Sequence, residues 1–193
     1  SDGVMLASFT ADVDFDVSDT AANIAAQVAS GVAPNYGADS LEDADSVFVE
    51  SGDPVTAAQA ESVQDIEFYS GGDIDISDNA ANLISAGDHV LNVTGVDVVT
   101  VNNGATSASD GAILAGFTAD VEFDVVDDVV ALKSVMGADV AGELTEASSI
   151  TVDDGQGGQV VTASDGAILA GFTADVEFDV VDDVVALKSV MGA

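Results

Sequence analysis

An exact internal repeat constrains the fold of this chain more than any other feature of its sequence. Residues 108–138 and 163–193 are identical and lie 55 residues apart. Residues 1–19 form a diverged third copy, and residues 71–83 form a fainter fourth copy. Since self-similarity at a regular spacing is typical of repeat proteins, the sequence predicts a single repeat array. It covers residues 1–193, with approximate long repeats at 1–63, 64–108, 109–163 and 164–193.

Each repeat alternates an acidic strand with a helix. From Ala11 to Val17, Val and Phe alternate with Asp, which is typical of a half-buried strand. A helix is predicted to follow, capped by Ser18 or Asp19. Corresponding strands are expected at 73–76 and 120–125, with helices opened by Ser77 and Asp127. Less acidic strands are predicted at Ser46–Glu50, Val96–Val101 and Ser149–Val152.

A strand followed by a helix and a similar strand favours parallel neighbours. The predicted fold class is therefore α/β or mostly β, an elongated parallel solenoid of strand-helix repeats without terminal caps. The alternative is a row of separate domains of about 55 residues, which are marginal in size for independent folding.

The charge of the chain restricts its partners. Two basic residues oppose 36 acidic ones, for a formal net charge of −34, so nucleic acid and anionic lipid are excluded as partners. With 48% hydrophobic residues and a mean hydropathy of +0.36, the chain has enough apolar surface to fold. No apolar run approaches the roughly 20 residues that span a bilayer, so no membrane insertion is expected. The chain contains no cysteine, which excludes disulfides and thiolate metal sites.

Few residues are candidates for catalysis. His89 is the only histidine and has no copy in the other repeats, so we interpret it as a bystander. Ser109-Asp110-Gly111 and Ser164-Asp165-Gly166 precede apolar helices and are interpreted as helix caps. The chain has no arginine, although a carboxylate pair for glycoside hydrolysis could exist among so many acids. We predict that the chain is not an enzyme. A polysaccharide-acting enzyme is the third alternative, after the two classes of function described below.

The acidic strand faces have two interpretations, a metal site or a solvated surface. Carboxylates on one face of a strand supply the hard oxygen ligands that Ca²⁺ prefers, but the same face could simply be solvated. Acidic strands within about one Debye length repel one another, so divalent cations are expected as partners and Ca²⁺ as a possible cofactor. The candidate ligands are Asp14, Asp16, Asp73, Asp75, Glu122, Asp124, Glu177 and Asp179.

The repeat units resemble a known group of proteins. V-x-F-D-V-S-D-T-A-A-N-I at Val13 to Ile24, I-D-I-S-D-N-A-A-N-L at Ile74 to Leu83 and S-I-T-V-D-D-G at Ser149 to Gly155 look like repeats of large secreted bacterial surface proteins. Those proteins resemble calcium-rich, type I secreted adhesins and surface-layer proteins. The resemblance implies an extracellular or cell-surface location. The calcium-binding nonapeptide G-G-x-G-x-D is absent, and Gly71-Gly72-Asp73 only approaches it.

Two classes of function remain. The first is a non-enzymatic extracellular structural protein, a repeat segment of an adhesin, surface layer or filament. The second is a ligand-binding module for carbohydrate, ice or mineral, although Thr10, Thr118 and Thr173 recur too sparsely for an ice-binding lattice. Because neither end resembles a capping repeat, head-to-tail self-association is also expected.

Overall fold

A computed structural model describes most of the chain, namely residues 16–29, 45–66, 69–136, 144, 146–153, 155, 160–171 and 175–191. The chain divides into two compact units, Ser1–Thr100 and Val101–Ala193. Among the described residues, no helix is both long enough and apolar enough to cross a membrane.

The first unit contains both strands and helices, but two strands follow each other from Tyr69 to Asp78 and two helices from Ala80 to Leu91. Its three-stranded sheet has the order β1-β2-β3 and is parallel throughout, and β4 lies beside β5. Val47 and Val49 of β2 are completely buried, as are Ile74 of β4 and Leu83 of the following helix. The elements are β1 (Asp16–Thr20), α1 (Ala21–Ala29), β2 (Ser46–Glu50), α2 (Ala57–Gln64), β3 (Tyr69–Gly72), β4 (Ile74–Asp78), α3 (Ala80–Ala86), α4 (Asp88–Leu91) and β5 (Val96–Val101), the last at the boundary between the units.

The second unit contains the two identical copies. Its sheets have the orders β10-β8-β7 and β11-β9, and their strands are parallel. The core includes Phe123, Val125, Leu132 and Ile150. The elements are α5 (Ala108–Ala115), β6 (Val121–Glu122), β7 (Asp124–Asp127), α6 (Val129–Met136), β8 (Ser149–Val152), β9 (Val160–Val161), α7 (Ala163–Leu169), β10 (Val176–Glu177), β11 (Asp179–Val180) and α8 (Val184–Met191).

The predicted elongated parallel solenoid is wrong. The described residues form a mixed α/β structure with eight helices and small parallel sheets of two or three strands, and no solenoid sheet is found among them. The physical reason is a break in the acidic strands. At Phe123 and at Phe178 one predicted strand becomes two short strands, which pair in different sheets. In the second unit β10 pairs with β8, whereas β11 pairs with β9.

The break before β4 depends on glycine. Gly72 has a φ of +146°, and a Cβ at this position would collide with the carbonyl oxygen of Val49 in β2. Only glycine permits both this backbone conformation and this close approach. The strand therefore ends its pairing with β2 at Gly72 and resumes in another sheet at Ile74.

Candidate functional site

The acidic residues predicted as metal ligands are spread along strands. Asp16, Asp73, Glu122, Asp124, Glu177 and Asp179 are exposed, Asp75 is half-buried, and Asp14 lies outside the described residues. In the part of the chain that the structure describes, no group of three or more His, Cys, Asp or Glu side chains is arranged to hold a metal ion. These carboxylates therefore do not converge on a common ligand position within that part.

Two of these carboxylates have a partner on the neighbouring strand. Ser46 Oγ donates to Asp16 Oδ1 over 2.6 Å, and Ser149 Oγ donates to Asp124 Oδ1 over the same distance. The pairs align at the first positions of β1 with β2 and of β7 with β8. The alternation of acidic and apolar residues does not predict these bonds. The signal was available, since β2 and β8 both begin with serine.

Less acidic strands lie in the middle of two sheets, and in one of them the middle strand separates two acidic strands. β2 is the middle strand of its sheet, with β1 on one side. β8 is likewise the middle strand between β7 and β10. Because adjacent strands lie about 4.8 Å apart, β8 doubles the separation between the acidic strands β7 and β10.

Three aspartates, here called the junction aspartates, join successive elements: Asp78 and Asp127 at the ends of acidic strands, and Asp182 two residues after one. One carboxylate oxygen of each accepts a hydrogen bond from the first residue of the preceding helix. The donors are the N–H groups of Ala57, Ala108 and Ala163, at 3.1, 2.9 and 3.0 Å. The other oxygen accepts from the next residue along the chain, at 2.8 Å in each case. One carboxylate thus holds a strand end against a helix N-terminus, where a negative charge is favourable.

Several predicted helix caps are wrong, because the junction aspartates form other hydrogen bonds. Asp127 is not the N-cap of α6, because its carboxylate is held by Ala108, and Asp128 accepts from the N–H groups of Val130 and Ala131 instead. Ser77 does not open a helix but lies in β4, and Asn79 is the N-cap of α3.

The predicted caps Ser109 and Ser164 are also wrong, by two residues each. The caps of α5 and α7 are Ser107 and Thr162, whose hydroxyls accept from the N–H groups of Asp110 and Asp165. Ser109 instead lies within the first turn of α5, with its Oγ 3.1 Å from that of Ser107. These serines are thus parts of helix starts rather than isolated side chains.

One repeat packs on the next inside the second unit. Strand β8 pairs with β7 in parallel, with Ile150 opposite Val125 and Val152 opposite Asp127. Lys133 Nζ of α6 donates to Asp165 Oδ1 of α7 over 2.6 Å, and both side chains are largely covered. This hydrogen bond, followed by the one from the Thr162 hydroxyl, lowers the pKa of Asp165 below its ordinary value of 3.8.

Replacing Lys133 by methionine is expected to destabilise the second unit by about 1 kcal/mol, the upper range for a partly exposed ion pair. Lys188→Met is the matched control. It makes the same change within an identical sequence, and Lys188 is exposed and forms no ion pair among the described residues. We expect the free energy of unfolding of this control to change by less than about 0.5 kcal/mol. Urea unfolding at pH 7 measures both changes, and equal losses would contradict the assignment.

The hydrogen bond between Lys133 and Asp165 should also make the stability of the second unit depend on pH. A carboxyl whose pKa is lowered by folding stabilises the folded state above its unfolded pKa, and that contribution disappears as the pH falls through the lowered value. The difference in stability between the unsubstituted chain and Lys133→Met should therefore shrink in acid below about pH 4.

A polar groove of about 290 Å³ lies between α2 and α3 and is lined by Glu61, Asp78, Asn82 and small residues. The Asp78 carboxylate is already engaged by the N–H of Ala57, the N–H and Nδ2 of Asn79, and the Nδ2 of Asn82. These bonds assign Asp78 to the fold rather than to a ligand.

His89 also lies near α2, as a surface residue. Its Nε2 is 3.7 Å from Glu61 Oε1, and the two side chains are 68% and 51% exposed. A general base needs a positioned partner. Such exposure leaves this pair solvated, so its geometry does not single out a catalytic role.

Comparison with known proteins gives no relative. No family model matches this chain. Neither a curated protein nor a solved structure shows a significant match.

Proposed function

We propose that this chain is a non-enzymatic extracellular structural protein, a repeat segment of an adhesin, a surface layer or a filament in which one repeat packs on the next. The observation that carries the proposal is the recurrence of one junction. The same contact between a helix N-terminus and a junction aspartate is built at Asp78, Asp127 and Asp182. Repetition of a single structural contact is what a protein needs when its role is to extend a scaffold.

The polar groups at these junctions support a structural role in a second way. Their carboxylates accept hydrogen bonds from backbone N–H groups of the chain itself, which holds strands and helices together. The two lysines stand at equivalent positions of the identical repeats, and Lys133 joins one repeat to the next. Because one of the two basic side chains of the protein is used in a contact between repeats, a role in assembly is favoured over chemistry on a substrate.

The extracellular part of the proposal comes from the repeat sequences. Ile74 to Leu83 and Ser149 to Gly155 resemble repeats of secreted bacterial surface proteins. Antibodies against the purified chain should label intact cells that produce it, and brief protease treatment of those cells should remove the label. Labelling that appears only after the cells are made permeable would contradict this location.

Divalent cations are proposed to act as counter-ions of the acidic strand faces. With a net charge of −34, the folded chain repels itself, and cations near the carboxylates reduce this repulsion. We expect Ca²⁺ and Mg²⁺ to raise the melting temperature above that in excess chelator, with NaCl adjusted to constant ionic strength. Identical melting temperatures in all three solutions would contradict cation binding and leave only screening.

A further inference from the structure

One asparagine of the chain stands in the sequence pattern that accepts an N-linked sugar. Asn92-Val93-Thr94 has the form N-x-T, and its middle residue is not proline. Of the asparagines in the sequence, only Asn92 is followed two residues later by serine or threonine. Because so short a motif also arises by chance, its place in the structure decides whether an enzyme can reach it.

The motif lies at the surface, in the turn between α4 and β5. Asn92 is the C-cap of α4. Val96 N–H donates to Val93 O over 3.0 Å, which closes the turn before β5. Asn92 and Thr94 are both exposed. Both residues that define the motif are therefore accessible to a modifying enzyme, as an acceptor site in a surface loop must be.

The backbone of the motif is anchored to the first sheet. The Tyr69 hydroxyl of β3 donates to Thr94 O over 3.3 Å. Gly95 has a φ of +99°, and a Cβ at this position would collide with the backbone of Gly72 in the same strand. Only glycine permits this conformation together with this close approach. Main-chain atoms thus hold the turn in place.

The fold makes no use of the polar side chains of the motif. Among the described residues, neither the Asn92 amide nor the Thr94 hydroxyl forms a hydrogen bond, since the bond at Thr94 is made by its carbonyl oxygen. Asn23 Nδ2 and Asn82 Nδ2 differ, because they donate to aspartates one turn earlier over 2.7 and 2.8 Å. The amide nitrogen of Asn92 is therefore available to react.

We propose that Asn92 carries an N-linked sugar, attached by a glycosyltransferase of the cell that produces the protein. The donor is a sugar activated as a diphosphate ester. Asn92 Nδ2 attacks the anomeric carbon, a carbon–nitrogen bond forms, and the bond from that carbon to the diphosphate oxygen breaks. The diphosphate leaves with the electron pair, and Nδ2 gives one proton to a base of the enzyme. The Thr94 hydroxyl is the group that marks the acceptor for the enzyme.

The inference rests on the proposed function, because N-linked sugars belong to secreted and surface proteins. It deepens that function by naming a modification of the exposed surface. The identical repeats at 108–138 and 163–193 contain no asparagine, so the sugar is attached outside the repeated sequence. A bulky, solubilising group on an exposed turn suits a protein at the cell surface.

The test uses the full chain purified from the cells that produce it, followed by mass spectrometry. Cleavage before aspartate releases residues 88–96, which contain Asn92, and residues 97–109, which contain Asn102 and Asn103. We expect residues 88–96 to be heavier than their sequence by the mass of a saccharide, and fragmentation to place the sugar on Asn92. Residues 97–109 are the internal control, since Asn102 and Asn103 are exposed but lack the motif and should carry no sugar.

Two substitutions at Thr94 separate recognition of the motif from folding. Thr94→Val keeps the shape of the side chain but removes its hydroxyl, and should abolish the added mass. Thr94→Ser keeps the hydroxyl and should retain the sugar. Circular dichroism of each variant checks that the chain remains folded.

Two results would overturn the proposal: residues 88–96 at the mass of their sequence in the unsubstituted chain, or equal modification of the Thr94→Val, Thr94→Ser and unsubstituted chains. Antibody labelling of intact cells does not depend on Asn92. Labelled cells with unmodified residues 88–96 would therefore reject the sugar and leave the extracellular function standing, whereas labelling only after permeabilisation would reject that function.

Discussion

Phe123→Asp is expected to unfold most of the second unit. Phe123 lies between β6 and β7 and is 3% exposed, with its neighbours Val121 and Val125 at 2% and 0%. A carboxylate at this position would be buried without a partner and would also leave a cavity. We expect a loss of at least about 4 kcal/mol, a large share of the stability of a small unit. Chemical unfolding followed by circular dichroism measures it.

Two control variants test whether the loss of stability in Phe123→Asp is caused by the burial of Phe123. Glu122→Ser changes the adjacent exposed residue and should be neutral or slightly stabilising, because it removes one negative charge from a strongly acidic chain. Phe178→Asp changes the equivalent residue of the identical repeat, which is only half-buried, and should cost clearly less than Phe123→Asp. Equal losses at Phe123 and Glu122 would show that the two faces of the strand are wrongly assigned.

Strands could be predicted where polar and apolar residues alternate between clear turns. The predicted bounds of β2, β5 and β8 are confirmed by the structure. The burial of Val121, Phe123 and Val125 beside exposed acidic residues also follows from the alternation. The period of two in the side-chain pattern fixes which face is buried, and no distant contact is needed to find it.

The starts of the helices were less predictable, because distant contacts decide them. Ser77, Asp78 and Asn79 are all good N-cap residues, and local sequence cannot choose among them. Asp78 is drawn to the N–H of Ala57, 21 residues earlier, so the strand continues through it and Asn79 becomes the cap. The same competition moves the cap of α6 from Asp127 to Asp128.

The arrangement of the sheets could not be predicted for a related reason. Repetition of the sequence predicts that similar units recur, but it does not state which strand each unit pairs with. The division of the acidic strands at Phe123 and Phe178 depends on partners elsewhere in the chain. The same limit explains why identical sequences at Val125 and Val180 differ in burial.

Asp78→Ala is expected to give the second large loss, in the first unit. The Asp78 carboxylate is 6% exposed and lies beside the N-terminus of α2, where Ala57 is 2% exposed. Removing the carboxylate leaves the buried N–H of Ala57 without this acceptor and also frees the side-chain amide of Asn82. An unsatisfied buried donor costs about 1–3 kcal/mol, and hydrogen bonds to a charged group lie at the upper end of that range. We therefore expect a loss of about 3 kcal/mol in urea unfolding.

Asp78→Asn tests whether the acceptor oxygens or the shape of the side chain matter. Asparagine has nearly the same size but keeps only one acceptor oxygen, so its NH₂ group would face either Ala57 N–H or the donors at Asn79 and Asn82. We expect Asp78→Asn to lower the free energy of unfolding, but by less than Asp78→Ala does. Asp75→Asn is the matched control in the same strand, since it removes the same charge from a half-buried residue. If Asp75→Asn and Asp78→Asn were equally destabilising, net charge rather than the junction hydrogen bonds would determine stability here.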